Sequence, residues 1–393
     1  NASYYRLLAD GSYDNVTGTG NALNCDSPPV QHLILASLRY WVTKMGVDGF
    51  RFDLAATLGR RADGFSTRAA LFDAIRADPV LGEVKLIAEP WDIGPGGYNL
   101  GGFPYPFAEW NDVFRDTMRR FWRGDAGQAA RLADGLTGSA RHFDRGDRPA
   151  TASVNFVTAH DGFTLHDLTA YAARRNEANG EDGRDGHGEN WSDAIGGEGA
   201  TEDAGVRASR VRRMQNLLAT LFVAQGTPMI LAGDEVANSQ GGNNNTYAQD
   251  NSTGWVDWQS GEDLTAYVAA LAALRRRLPV LRQTRFLHGT LDGDGTPDVL
   301  WWHPEGRPMA ERDWIDPENR LVMASLRRAT ASAMSAMPPA FVVLNAGPAV
   351  PAQLPEGNWR GVFASHGEAP VPEDRAIKIP AHIVLVYEAE PNT

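Results

Sequence analysis

Acidic side chains stand at the ends of four predicted strands, and a cation precedes one of them by two residues. The acids are Asp53, Glu89, Asp161, and Asp234 with Glu235. Residues i and i+2 of a strand point to the same side, so Arg51 is expected to face Asp53. Because charges are costly to bury unless they are paired, this spacing predicts an ion pair at the end of a buried strand.

Two such carboxyl groups about 5–5.5 Å apart are what a retaining glycosidase requires, one as nucleophile and one as general acid. Arg51 would hold Asp53 ionised as the nucleophile. A neighbouring carboxylate raises a carboxyl pKa, which would keep Glu89 protonated as the acid. His160 and Asp161 would then hydrogen-bond the hydroxyls of a distorted sugar ring.

Each feature also has a purely structural explanation. Arg51 with Asp53 is also the pattern of a structural ion pair, and Glu89 precedes a proline, which favours an extended strand terminus. A His-Asp dipeptide is common. Asp234 and Glu235 either serve the site or cap the following segment. The order of the first three features along the chain is what favours a catalytic site.

The elements that must position these acids alternate between strands and helices, which predicts a mainly parallel sheet. Helical periodicity marks residues 28–45, 66–77, 112–122, 206–225 and 262–277. Acids at four strand ends favour a barrel, whose strand ends converge on one mouth, over a doubly wound sheet. From residue 283 the chain shows short apolar strands between turns, typical of an antiparallel β domain. The predicted domains are therefore 1–282 and 283–393.

The strings "GVDGFRFDLA", "LIAEPWD" and "NFVTAHDGFTLHDL", in that order, resemble three motifs of the α-amylase superfamily. "LAGDE" with "QGGNNNTYAQDNSTGWVDW", and "NEANGEDGRDG", resemble its glycogen-debranching, isoamylase-type branch. The resemblance implies a (β/α)₈ barrel with a C-terminal β-sandwich, and retaining cleavage of α-1,6 branch points in glycogen, amylopectin or limit dextrin. It implies that Asp53 is the nucleophile, Glu89 the acid/base and Asp161 a transition-state stabiliser, helped by Arg51 and His160. Another superfamily activity (α-1,4 hydrolysis, branching or trehalose-related transfer) and an inactive glucan-binding fragment are the alternatives.

The first motif of that superfamily is not present in the 46 residues before Val47. We therefore expect a partial barrel of about strands 4–8, and a fragment that is unstable or inactive by itself.

Aromatic side chains cluster around the motifs, and pyranose rings pack on flat apolar surfaces. We expect Trp91, Tyr98 and Trp110 to bind substrate, Trp91 most directly because it lies two residues after the acid. The polar segment 174–205 either walls the cleft or is mobile. Its spacing matches no calcium motif, so no metal and no cofactor is expected.

The net charge of −12 argues against a nucleic-acid backbone or an anionic membrane as the main partner. No apolar run reaches the roughly 20 residues of a membrane span. The single cysteine, Cys25, is expected to be a small packed residue. The Ala-, Arg- and Gly-rich composition suggests a bacterial protein, for which the resemblance implies cytoplasmic glycogen turnover.

Overall fold

A computed structural model describes residues 3–259, 263–293, 295–329 and 337–390. Within it the chain divides into two compact units. The first comprises residues 1–111 and 141–154, and the second comprises 112–140 and 155–393. The predicted domain boundary at 282–283 is a different division and stays a prediction.

The helices and strands of the described residues follow in chain order. They are α1 (Pro28–Thr43), β1 (Gly49–Phe52), α2 (Ala56–Gly59), β2 (Arg60–Arg61), β3 (Gly64–Phe65), α3 (Ala70–Ala77), β4 (Lys85–Ala88), β5 (Ala108–Asn111), α4 (Asp112–Arg123), α5 (Ala129–Leu136), α6 (Ala140–Phe143), β6 (Ser153–Phe156), α7 (Asp167–Ala170), α8 (Ala204–Val223), β7 (Thr227–Met229), α9 (Thr265–Arg277), β8 (Val299–Trp301), α10 (Glu311–Ile315), β9 (Leu321–Leu326), β10 (Ala340–Asn345), β11 (Val350–Gln353), β12 (Trp359–Ala364), β13 (Ala376–Ile379) and β14 (Ile383–Ala389). The five predicted helices are present as α1, α3, α4, α8 and α9, with ends shifted by up to four residues. The predicted start of the last one, Glu262, lies outside the described residues.

The first unit contains a parallel arrangement of β1, β4 and β5, as the alternation of strands and helices predicted. Arg51 lies opposite Ile87, and Ile87 lies opposite Ala108. Apolar side chains of α1, α3 and β4 form the core of this unit, with Val30, Leu71 and Leu86 buried. Among the described residues no further strand pairs with β1 on the side away from β4. The strands therefore do not close a barrel, and the count of barrel strands stays a prediction.

The second unit contains helices α4, α5, α8 and α9, whose apolar side chains join one large core. The N-terminus of α8 is capped by Asp203, whose carboxylate accepts hydrogen bonds from the amides of Gly205 (2.8 Å) and Val206 (3.0 Å). Such a cap satisfies amides that have no partner within the helix. The helix α8 thus begins two residues earlier than its apolar periodicity predicted.

An antiparallel sheet with the order β12-β14-β10-β9-β8 forms from the last part of the chain. A two-stranded antiparallel pair, β11 and β13, accompanies it. Val343 and Leu385 are completely buried in this region. A separate domain over 283–393 stays a prediction, and so does the sandwich arrangement expected from the resemblance.

In the ranges that the structure describes, no helix is both long enough and apolar enough to cross a membrane. The same ranges contain no group of three or more His, Cys, Asp or Glu side chains arranged to hold a metal ion. Cys25 is buried, and burial raises the pKa of its thiol to about 11. The thiol is therefore a packed, protonated side chain at neutral pH.

Candidate active site

The chain makes a sharp, strained turn immediately after β1, where the predicted nucleophile lies. Asp53 follows the last strand residue, and Leu54 adopts a left-handed backbone conformation with φ of +41°. A non-glycine residue in this conformation costs free energy and persists only where its surroundings impose it. Here the amide of Leu54 donates a 2.6 Å hydrogen bond to Glu89 Oε2. The turn therefore joins the end of β1 to the acid that follows β4.

A single guanidinium contacts both candidate catalytic carboxylates. Arg51 Nη1 lies 2.5 Å from Asp53 Oδ1, and Nη2 lies 2.9 Å from Glu89 Oε1, although Nη2 is not aligned for a hydrogen bond. The guanidinium also lies 4.2 Å from the centre of the Trp110 ring, an arrangement that favours a cation. Arg51 therefore holds the two carboxylates close to each other and offsets their mutual repulsion.

The two carboxyl groups have very different surroundings. The side chain of Asp53 is 72% exposed, whereas that of Glu89 is 6% exposed. Burial raises the pKa of Glu89 to about 7, assisted by the neighbouring Asp53, while the Leu54 amide and Arg51 act in the opposite direction. At neutral pH Glu89 is therefore partly protonated, as a general acid must be.

The loop that follows Glu89 is held by a second ion pair. Asp92 is buried and accepts two hydrogen bonds from Arg60, at 2.6 and 3.0 Å, and one from the amide of Gly94. Trp91 is half-buried on this loop, and Tyr98 is 55% exposed. Trp91 and Tyr98, two of the three aromatic residues expected to bind substrate, therefore lie in the same unit as Asp53 and Glu89.

Glu109 is a structural acid that the sequence analysis missed. It is completely buried and pairs with Arg148 Nη1 at 2.7 Å. Its carboxylate also accepts hydrogen bonds from the amides of Gly101 and Phe103. Because Trp110 is the next residue, this pair fixes the backbone that carries the ring lying 4.2 Å from the Arg51 guanidinium. A charged residue inside the short apolar strand "AEWN" was the available signal.

His160 and Asp161 belong to the second unit. His160 Nε2 lies 3.6 Å from Asp161 Oδ2, and both side chains are 54% exposed. They lie on the segment that leads from β6 to α7. This half-exposed pair has the accessibility that contact with a substrate requires.

The Asp234 carboxylate accepts hydrogen bonds at both ends of the segment that carries His160 and Asp161. It is buried, accepts a hydrogen bond from Thr158 Oγ1, and accepts a 2.9 Å bond from the amide of Leu165. Burial raises its pKa to about 6. The side chain that was predicted either to serve the site or to cap a segment thus supports the residues on either side of His160 and Asp161.

An amide network joins the two loops whose strings resemble the debranching branch. Its side chains carry amide or carboxylate groups: Asn176, Asn179 and Asp185 on one loop, and Asn243, Asn244 and Asn245 on the other. Asn176 Nδ2 donates to Asn244 Oδ1 at 2.8 Å, and Asn243 Nδ2 donates to Asn179 Oδ1 at 2.8 Å. Asp185 Oδ2 accepts from Asn179 at 2.7 Å and from Asn245 at 2.8 Å. These bonds fix the part of the polar segment between Asn176 and Asp185.

Known proteins resemble this chain strongly in sequence, although no protein-family model matches it. A "Glycogen operon protein GlgX homolog" of Mycobacterium tuberculosis H37Rv is 48% identical over 321 residues, covering 80% of this chain and 44% of that protein. A "Glycogen debranching enzyme" of Cronobacter sakazakii is 45% identical over 389 residues, covering 98% of this chain and 56% of that protein. The chain thus spans about half the length of the curated relatives it matches.

Solved structures share the fold at lower identity. A pullulanase from Bacillus acidopullulyticus superimposes with a TM-score of 0.70 at 23% identity, covering 98% of this chain and 43% of that one. A type I pullulanase from Bacillus subtilis, solved with maltose, gives 0.71 at 22% identity, covering 98% and 50%. The chain therefore has a pullulanase-like α/β fold with a parallel sheet.

Proposed function

We propose that the chain belongs to the glycogen debranching enzymes of the α-amylase superfamily, and that it carries a centre that hydrolyses α-1,6-glucosidic branch linkages with retention of configuration. The observation that carries this proposal is that one exposed carboxyl group, Asp53, and one buried carboxyl group, Glu89, contact the same Arg51 guanidinium. An inverting enzyme needs about 6.5–9.5 Å between its carboxyl groups to admit water. A hydrogen bond between the side chains of Asp53 and Glu89 leaves no such room, which favours the retaining route.

In the first half of the proposed reaction, Glu89 gives its proton to the glycosidic oxygen as the bond to the anomeric carbon breaks. A carboxylate oxygen of Asp53 forms a bond to that carbon, and the shortened glucan leaves with the proton. In the second half, the ionised Glu89 takes a proton from water, and the water oxygen displaces Asp53 from the anomeric carbon. Both side chains return to their starting states, and the sugar keeps its α configuration.

Arg51 supports both halves of this cycle. By contacting both carboxylates it offsets the negative charge of Asp53 and stabilises Glu89 after its proton has left. We assign Asp161 to stabilising charge in the transition state, and His160 to hydrogen bonds with sugar hydroxyls. Trp91, Tyr98 and Trp110 are proposed to contact the glucan, and no cofactor or metal enters the reaction.

The proposed substrates are branched α-glucans: glycogen, amylopectin and their limit dextrins. Relatives named for glycogen debranching and fold neighbours solved with maltooligosaccharides support this class. We also propose that the protein acts in the bacterial cytoplasm, in keeping with relatives named for the glycogen operon. Neither nucleic acid nor membrane is proposed as a partner of a chain with a net charge of −12.

The test compares three substrates on chain 1–393 and on a longer chain that has the length of the curated relatives it matches. We expect reducing ends from limit dextrin and pullulan but not from linear amylose, with the α-anomer formed first. Asp53→Asn should lower kcat by about 10³-fold or more, whereas Asp63→Asn, at another exposed aspartate of the same unit, should leave it unchanged. Cleavage of amylose alone, transfer of chains without hydrolysis, or an initial β-anomer would each refute the proposal.

A further inference from the structure

A cavity rich in arginine lies in the first unit. It has a volume of about 560 Å³, within the range of pockets that hold small organic ligands. Four arginines line it, Arg68, Arg76, Arg145 and Arg148, together with one acid, Asp73. The lining therefore carries three positive charges more than negative ones, in a chain whose net charge is −12.

Two of these arginines have no acidic partner among the described residues. Asp73 pairs with Arg76 at 2.8 Å, and the buried Arg148 pairs with Glu109. The described ion pairs include none for Arg68 or Arg145, which are both exposed. Guanidinium groups without a carboxylate partner are well suited to bind phosphate oxygens in a fork geometry.

One arginine of the cavity lining, Arg148, is buried and fixed by hydrogen bonds. Arg148 is 5% exposed, and its Nη1 and Nη2 are satisfied by Glu109 and by the carbonyl of Phe107. Its Nε is buried without a hydrogen-bond partner, which costs free energy. A side chain at Gly101 would come within 2.5 Å of Arg145 Nη2, so the glycine leaves space for that guanidinium.

An aromatic ring lines the same cavity. Tyr105 is 53% exposed, so part of its ring is open to a ligand. A flat ring beside guanidinium groups matches a ligand that has one anionic group and one pyranose face. A free inorganic phosphate would use the arginines but not Tyr105.

We propose that this cavity binds a phosphorylated hexose, with the phosphate on Arg68 and Arg145 and the sugar ring on Tyr105. The site is separate from Asp53 and Glu89, which do not line it. The proposal does not depend on the debranching reaction, because binding is measured directly.

Calorimetric titration of the full chain with glucose 1-phosphate, inorganic phosphate and glucose tests this site. Arg68→Ala with Arg145→Ala should weaken phosphate and glucose 1-phosphate binding by about tenfold or more, because each removes charge-assisted hydrogen bonds. The matched pair Arg61→Ala with Arg141→Ala removes the same charge at exposed positions of the same unit outside the cavity. It should change the affinity less than about twofold, since neither side chain lines the cavity.

Tyr105→Ala separates the sugar contribution from the phosphate contribution. It should weaken glucose 1-phosphate binding and leave inorganic phosphate binding unchanged. Equal losses from the two arginine pairs, or no saturable binding of either phosphate by the folded chain, would overturn the site. Equal affinities for glucose 1-phosphate and inorganic phosphate would overturn the assignment to a hexose.

Discussion

Replacing Glu89 with glutamine should stabilise the fold at alkaline pH while it removes the proposed acid. Burial raises the pKa of Glu89 from 4.5 to about 7, so the folded chain binds this proton more tightly than the unfolded chain does. The stability that protonated Glu89 provides is complete below pH 4.5 and is lost as the pH rises through about 7. Glutamine is neutral throughout, and its amide keeps an acceptor for the Leu54 amide and a donor for Asp53.

The size of the effect follows from that shift. A rise of about 2.5 pKa units corresponds to about 3 kcal/mol, of which about 2 to 3 kcal/mol falls between pH 5 and pH 8. Between pH 5 and pH 8 the free energy of unfolding of both proteins changes. That of the unmodified chain should fall by about 2 to 3 kcal/mol more than that of the Glu89→Gln variant. Urea denaturation of both proteins at pH 5 and pH 8 measures the difference.

A matched control separates this effect from the general titration of the chain. Glu83 is exposed in the same unit, so Glu83→Gln should show the same pH dependence of unfolding as the unmodified chain. If Glu89→Gln also followed the unmodified chain at both pH values, Glu89 would not be a carboxyl with a raised pKa. The assignment of Glu89 as general acid would then lose its physical basis.

Two further substitutions test the groups around the carboxylates. Arg51→Met should move the alkaline limb of the pH–kcat profile upward by about 1–2 units, because a cation at 2.9 Å lowers the pKa of Glu89; an unmoved limb would show that Arg51 does not act on Glu89. Asp234→Ala should lower the free energy of unfolding by about 2–4 kcal/mol, since it leaves the Thr158 hydroxyl and the Leu165 amide buried without a partner. The control is Glu235→Ala, because Glu235 is half-buried and accepts a hydrogen bond from the amide of Gly233, two residues away. This substitution should lower the free energy of unfolding by less than about 1 kcal/mol. Equal losses for the two variants in urea denaturation would contradict the supporting role of Asp234.

The contact between Arg51 and Asp53 could be predicted from the sequence because the two residues are close together in the chain. The pairing of Arg51 with Asp53 depends only on the two-residue period of a strand, and it is present. The contact of Arg51 with Glu89 needed the order of β1 and β4 in the sheet, which the βα pattern indicated. Helix α5 was missed because its sequence, AARLADGL, is short and carries a glycine near its end.

The contacts that could not be predicted from the sequence join residues far apart in the chain. Glu109 meets Arg148 after 39 residues, and Asp234 meets Thr158 after 76. Neither partner of such a pair marks the other in the chain, because any of many acids and donors could have met. The cost of burying a charge predicts that buried charges will be paired. Only the fold decides which side chains form each pair.

The amide network contains an asparagine that is prone to chemical modification during storage. Asn179 is followed by Gly180, and an asparagine before glycine is the sequence most prone to spontaneous deamidation, because glycine leaves the next backbone nitrogen free to attack the side chain. Deamidation would turn the donor that Asn179 presents to Asp185 Oδ2 and to the carbonyl of Asn245 into a carboxylate. Two carboxylates would then face each other where a hydrogen bond had been. Stored preparations should thus accumulate an acidic form in which this loop is loosened, and the network that holds Asn179 in place determines how slowly it appears.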